Sequence, residues 1–210
     1  MNLLVLVTAT LGVIGVGIQF YFSFTAKLEQ GFSVLYAVNH YFSFFTAIIN
    51  SSIAVLLLAY YFFPDSKLSR WFKKTTNNTA IAVYILIVSL IYYTLLLNNK
   101  PLLPVEMVAT HILHGFVPLA YLGLWFFRFR NGDLNYSDSF RWVLFPLVYF
   151  IYLLIRGAVI DAYPYFFVNV SKIGYPMALL YAVCILGVFL ISGLSLVVID
   201  RRIKLKKQFC

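Results

Sequence analysis

Long apolar stretches dominate this chain, and short polar stretches separate them. They cover residues 2–24, 36–63, 80–97, 105–127, 140–160 and 175–199. At about 1.5 Å of rise per residue, a helix of each length can cross a hydrocarbon core about 30 Å thick. Membrane strands would instead alternate apolar and polar residues over about ten positions, and these stretches do not alternate. The pattern predicts an all-α, polytopic transmembrane bundle of six spans, forming one integral membrane domain over residues 1–210.

The composition favours the same class of protein. Hydrophobic residues make up 62% and charged residues 11% of the 210 positions, whereas soluble domains hold about 45–50% and about 25%. The first stretch has neither a basic leading segment nor a small-residue cleavage site, so we expect a retained helix rather than a signal peptide. The two cysteines, Cys184 and Cys210, are too few for a disulfide framework.

The basic residues are divided unequally between the two sides of the membrane that six spans define. The side with both termini and the second and fourth loops holds twelve: Lys67, Arg70, Lys73, Lys74, Arg128, Arg130, Arg141, Arg201, Arg202, Lys204, Lys206 and Lys207. The opposite side holds four: Lys27, Lys100, Arg156 and Lys172. The positive-inside rule therefore predicts that both termini are cytoplasmic. The net charge of +9 is then explained by the topology and by contact of the basic residues with anionic membrane lipids. No nucleic-acid partner is expected.

Histidines are the ionisable residues that the pattern places deep in the membrane. All seven acidic residues fall in loops or at span ends, which disfavours a proton pump built on buried carboxylates. His111 and His114 lie in the fourth span, and His40 lies near the start of the second. The second and fourth spans both run inwards from the outer side. Thr46 and His114 are therefore about ten and about nine residues in, at a similar depth of roughly 15 Å.

A threonine hydroxyl and an imidazole at one depth suggest a catalytic pair, with Thr46 as nucleophile and His114 as general base. Pro118 cannot donate to the carbonyl of His114, so we expect the helix to bend there. Asn50 follows Thr46 by one turn and is a candidate to orient a substrate carbonyl or to contribute to an oxyanion hole. The simpler interpretations are a hydroxyl bonded to its own helix for Thr46 and an interhelical hydrogen bond for His114.

Five segments carry a further signal when they are taken together. They are Tyr41–Thr46 followed by Asn50, His111–Pro118, Trp142–Tyr149, Arg156–Gly157 and Tyr163–Val168. In residue types, order and span count they resemble the androgen-induced-gene family of six-span membrane threonine hydrolases, and most closely its bacterial relatives. The resemblance covers about residues 36–195.

The resemblance implies a hydrolase of lipid metabolism in a bacterial inner (cytoplasmic) membrane. Thr46 would be its nucleophile and His114 its base, with no acidic third member, no cofactor and no metal. Animal members of the family hydrolyse fatty-acid esters of hydroxy fatty acids, so the implied substrate is a lipid ester. The chain departs from the family at Leu124, where an Asp commonly precedes the Trp, and at Asn169, where an Asp is common.

Two further residues are candidates for substrate binding, and two other functions stay open. Arg156, near the outer end of the fifth span, could bind a carboxylate of the lipid. Alternatively, it could extend to the membrane interface or cap an outer loop. His111 is the second candidate for substrate binding. A non-catalytic carrier or lipid-binding protein is one alternative function. A haem-binding electron-transfer bundle is the other, with His40 and His111 as ligands, because His111 and His114 lie too close on one helix to bind both haem faces. The oligomeric state is left open.

Overall fold

The computed structural model describes residues 2–97 and 102–209, with side chains described as far as Arg202. Lys100, one of the four cations that were predicted for the outer side, and Cys210 lie outside the described residues. The α-helices are α1 (Asn2–Glu29), α2 (Val34–Phe42), α3 (Phe45–Phe62), α4 (Lys67–Phe72), α5 (Thr75–Ile91), α6 (Pro104–His111), α7 (Val117–Leu124), α8 (Tyr136–Ile160) and α9 (Val170–Phe209). Three π-helical turns continue or join them at Tyr92–Leu96, Ile112–Phe116 and Trp125–Phe129, and a short 3-10 turn covers Phe166–Val168.

Six helical segments in the described part of the chain are long and apolar enough to cross a membrane. They are Asn2–Glu29, Phe45–Phe62, Thr75–Leu96, Pro104–Phe129, Tyr136–Ile160 and Val170–Arg202. The described residues contain no strand. The predicted all-α class and the six spans are therefore confirmed.

The second span differs from its prediction, because residues 36–63 form two helices and not one. Helix α2 ends where the Ser43 hydroxyl and backbone N–H both donate to the carbonyl of His40, the hydroxyl at 2.6 Å. Such local side-chain bonding competes with helix continuation. Phe44 is then extended (φ −84°, ψ 130°), and α3 begins at Phe45. The membrane-crossing helix is consequently shorter than expected, and Thr46 lies in its first turn.

The chain divides into two compact units, residues 1–130 and residues 131–210. In the first unit, α1 packs along α3 and also contacts α2, α6 and α7, while α5 packs on α7. Small residues permit this close packing: a Cβ added at Gly15 of α1 would lie 2.8 Å from Cδ2 of Leu113. Leu113, Ile53 and Leu57 are almost fully buried in this core.

The second unit consists of α8 and α9 with their connecting segments. Its first residues are fastened to α9 by Asp200, a fully buried carboxylate. One oxygen of Asp200 accepts the backbone N–H groups of Asn131 and Gly132 at 3.1 and 3.0 Å, and the other accepts that of Leu134 at 3.2 Å. Near its start, α9 is interrupted at Gly174, whose φ of 73° is readily adopted only by glycine.

Candidate active site

Thr46 owes its surroundings to the break between α2 and α3. Several hydroxyls elsewhere in the spans bond to the carbonyl four residues earlier, as Ser52 does to Ile48 and Thr94 does to Leu90. Four residues before Thr46 the chain belongs to α2, on the far side of the extended Phe44. The Thr46 hydroxyl instead meets another helical segment: its Oγ1 lies 3.4 Å from Nε2 of His114.

His114 occupies the π-helical turn Ile112–Phe116. The turn is wide because the N–H of Val117 bonds to the carbonyl of Ile112, five residues back. Pro118, at the start of α7, has no N–H to offer the carbonyl of His114. A bend was predicted at Pro118; what the structure shows is a wide turn at Ile112–Phe116, just before this proline. Turns of this kind occur frequently at functional sites.

The hydrogen bonds of His114 define which of its ring nitrogens can accept a proton. Nδ1 lies 2.9 Å from the backbone carbonyl of Thr110, and because a carbonyl can only accept, we assign the proton to Nδ1. In the neutral ring Nε2 then carries the lone pair, and Nε2 is the atom that faces the Thr46 hydroxyl. This is the tautomer that a general base requires.

Three residues that the sequence reasoning missed hold His114 in this orientation or line its turn. Gln19 of α1 donates through Nε2 to the hydroxyl of Thr110 at 2.6 Å, which fixes the segment whose carbonyl His114 uses. The ring of Tyr92 stacks on the imidazole, with centroids 4.0 Å apart. Tyr93 lies alongside, with its hydroxyl 3.3 Å from Nδ1 of His111. Gln19 was detectable as a polar residue within an apolar stretch, whereas nothing distinguished these tyrosines from the other fourteen in the chain.

The remaining candidate residues have partners of their own. Asn50 is fully buried and donates through Nδ2 to the carbonyl of Thr46 at 3.1 Å, so its amide supports the first turn of α3. His111 is exposed beside Tyr93. His40 lies between Tyr36 and Phe44, stacked on the first ring and edge-on to the second.

Arg156 belongs to the unit formed by residues 131–210. Its guanidinium is buried and donates to the carbonyl of Ala162, just beyond the end of α8. This is the arrangement of an arginine that caps the loop after α8. Next to it, Gly157 packs directly under the ring of Tyr163, and a Cβ at Gly157 would overlap that ring at 1.9 Å.

No family model, curated protein or solved structure matches the chain. The residues that the structure describes form an all-α integral membrane protein with six spans. Within residues 1–130 it brings a threonine hydroxyl to 3.4 Å from a ring nitrogen of a histidine.

Proposed function

We propose that this protein is an intramembrane hydrolase of lipid esters, with Thr46 as nucleophile and His114 as general base. The observation that supports it is the contact between Thr46 Oγ1 and His114 Nε2 at 3.4 Å, with Nδ1 committed to the Thr110 carbonyl. Nucleophile and base separations near 3 Å are usual, and they are often longer when no substrate is bound.

The chemistry follows from these two atoms. Nε2 takes the Thr46 proton as Oγ1 forms a bond to the ester carbonyl carbon. The tetrahedral intermediate collapses, the carbon–oxygen bond to the alcohol breaks, and the imidazolium returns its proton to that alcohol. Water then attacks the acyl carbon and gives a proton to Nε2. The bond between the acyl carbon and Oγ1 breaks, the acid leaves, and the imidazolium returns its proton to Oγ1 of Thr46. No cofactor or metal is required by this sequence of steps.

The start of α3 supplies a site for the negative charge that develops on the carbonyl oxygen. The first regular helical bond of α3 joins the N–H of Ile48 to the carbonyl of Phe44, so the N–H groups of Thr46 and Ala47 precede that bond in the first turn. Backbone N–H groups at a helix start, together with the helix dipole, stabilise an anion. The break immediately before Thr46 thus has two effects. It leaves the Thr46 hydroxyl without a carbonyl of its own helix to bond, and it leaves backbone N–H groups to stabilise the oxyanion.

The carbonyl of Thr110 takes the orienting role that a carboxylate has in serine hydrolase triads. A carbonyl fixes the tautomer and ring orientation but gives less stabilisation to an imidazolium than a full negative charge does. The stacked Tyr92 and the Gln19–Thr110 bond add rigidity. We expect modest turnover on a substrate that is already concentrated in the bilayer.

The substrate class follows from location. A hydroxyl within a membrane-crossing helix meets molecules that dissolve in lipid, and esters of long-chain acids do so. Fatty-acid esters of hydroxy fatty acids are the esters that the family resemblance implies. They join two acyl chains through one ester group, so both products can remain in the bilayer.

The test is labelling of the purified protein with a lipid-like fluorophosphonate, which traps activated hydroxyls. We expect labelling of the wild type and of Ser52→Ala, and loss of labelling in Thr46→Ala and His114→Asn. Ser52 is the matched control because its hydroxyl lies on the same helix and bonds to its own backbone. Equal labelling of wild type and Thr46→Ala would refute the proposal. Undiminished lipid exchange by a Thr46/His114 double variant, with no ester cleavage by the wild type, would establish the carrier instead.

A further inference from the structure

Two cations meet on one tyrosine at the opposite end of α3 from Thr46. Arg128, in the last turn of the fourth span, donates through Nε to the Tyr60 hydroxyl at 2.7 Å, and its Cζ lies 5.3 Å from the ring centroid. Lys73, just before α5, lies with Nζ 5.7 Å from the same centroid. The carbonyl of Pro64 accepts a bond from this Nζ at 2.7 Å. Both charges are therefore held in place by the protein.

No carboxylate of the described residues lies within ion-pair distance of Arg128 or Lys73. Nε is the only guanidinium nitrogen of Arg128 with a hydrogen-bond partner in this part of the chain, so its two terminal amino groups keep their hydrogens for a ligand. Two cations that contact one ring repel each other, and a bound anion relieves this repulsion. Guanidinium and ammonium groups are both common ligands of phosphate.

Exposed aromatic side chains adjoin Tyr60 and Arg128 along the chain. Phe62 and Phe63, at the end of α3, are 56% and 67% exposed, and Phe127, beside Arg128, is 75% exposed. In a membrane protein such side chains contact acyl chains, and aromatic residues are enriched at the interface where lipid headgroups lie. A phosphate that is attached to acyl chains would cover both the charges and these rings, whereas a free phosphate would cover only the charges.

We propose that Arg128 and Lys73, arranged on Tyr60, bind the phosphate of an anionic phospholipid. The Arg128 guanidinium makes the directional bonds and Lys73 supplies the second charge. Tyr60 fixes the guanidinium through its hydroxyl. By the distribution of basic residues, this end of the bundle faces the cytoplasmic leaflet. The site is independent of the proposed hydrolase reaction.

The experiment measures lipid binding by the full chain after delipidation in neutral detergent. Dioleoylphosphatidylglycerol is titrated, with dioleoylphosphatidylcholine and inorganic phosphate as separate arms. Binding is followed by native mass spectrometry and by the rise in melting temperature. Arg128→Gln should weaken phosphatidylglycerol binding by about tenfold or more, as expected for the loss of a charge-assisted hydrogen bond. Lys74→Gln is the matched control because Lys74 is exposed and adjacent to Lys73.

Tyr60→Phe is the sharper variant, because it keeps every charge and removes only the hydroxyl that holds Arg128. Severalfold weaker binding by Tyr60→Phe, with Lys74→Gln like the wild type, supports a built site. If Lys73→Gln and Lys74→Gln weaken phosphatidylglycerol binding equally and Tyr60→Phe does not weaken it, the lipid is attracted by the overall positive charge, and the proposal is overturned. Equal stabilisation by the two phospholipids, or full displacement of phosphatidylglycerol by millimolar phosphate, would also overturn it.

Discussion

Replacing Asp200 by Asn tests whether one buried carboxylate fastens the start of the second unit to α9. Asp200 is fully buried and accepts three backbone N–H groups. An asparagine has nearly the same shape but only one accepting oxygen. If that oxygen keeps the bonds to Asn131 and Gly132, the new amide group points its hydrogens at the N–H of Leu134.

The magnitude follows from these bonds. Hydrogen bonds to a charged group contribute about 1.5–3 kcal/mol each, and a buried donor left without an acceptor costs about 1–3 kcal/mol. Asp200→Asn removes one such bond, leaves the Leu134 N–H facing a donor, and takes the charge from the two bonds that remain. Because the loop can move towards water and relieve part of this, we expect a loss of about 3 kcal/mol in the free energy of unfolding. For a chain of this size that lowers the melting temperature by roughly 6–12 °C.

The assay is thermal unfolding of the full chain in detergent, followed by tryptophan fluorescence. Asp133→Asn is the control, since Asp133 is exposed in the same loop and its replacement removes the same charge. Asp133→Asn should change the melting temperature by no more than about 1–2 °C, as surface substitutions usually do. If the two variants melt together, the three hydrogen bonds do not hold the loop and the reasoning is wrong.

Two glycine substitutions extend these tests. Gly157→Ala should displace the Tyr163 ring and lower the free energy of unfolding by about 1–3 kcal/mol. The control is Gly187→Ala, where an added Cβ meets nothing within 4 Å, and it should be neutral or slightly stabilising. Equal melting temperatures for the two variants would contradict the contact between Gly157 and Tyr163. Gly115→Ala places a Cβ 2.8 Å from the Tyr93 hydroxyl. This variant should slow fluorophosphonate labelling severalfold, while its melting temperature falls by only a few degrees. Unchanged labelling would show that the position of Tyr93 does not affect the site.

The class and the span count were predictable because hydropathy is summed over many residues. A stretch such as 80–97 remains apolar whatever its exact boundaries. The contact between Thr46 and His114 was suggested by equal depth, yet the assumed continuous helix over residues 36–63 was wrong. Ser43 ends that helix through bonds to the His40 carbonyl, and a serine within an apolar run does not by itself predict such a stop. The contact is therefore made by a different path of the chain from the one that was assumed.

The supporting residues could not have been found from spacing alone. The position of Gln19 opposite Thr110 depends on how α1 packs on α6, and the stacking of Tyr92 on His114 depends on a π-helical turn at the end of α5. Pro118 signalled a disturbance after His114, but a bend, a kink and a wide turn are equally compatible with a missing N–H. Tertiary packing selects among them.

The wide turn at Ile112–Phe116 determines where the fourth span tolerates a change in length. A π-helical turn uses one residue more than an α-helical turn to complete its rotation, whereas each residue of an α-helix rotates the chain by about 100°. Before the turn Thr110 faces Gln19, and after it Tyr121 donates to the carbonyl of Asn78. Deleting one residue within the turn would convert it into an α-helical turn, so both contacts would keep their partners while His114 changes its position. Deleting one residue between the turn and Tyr121 would instead rotate one of the two contacts away from its partner.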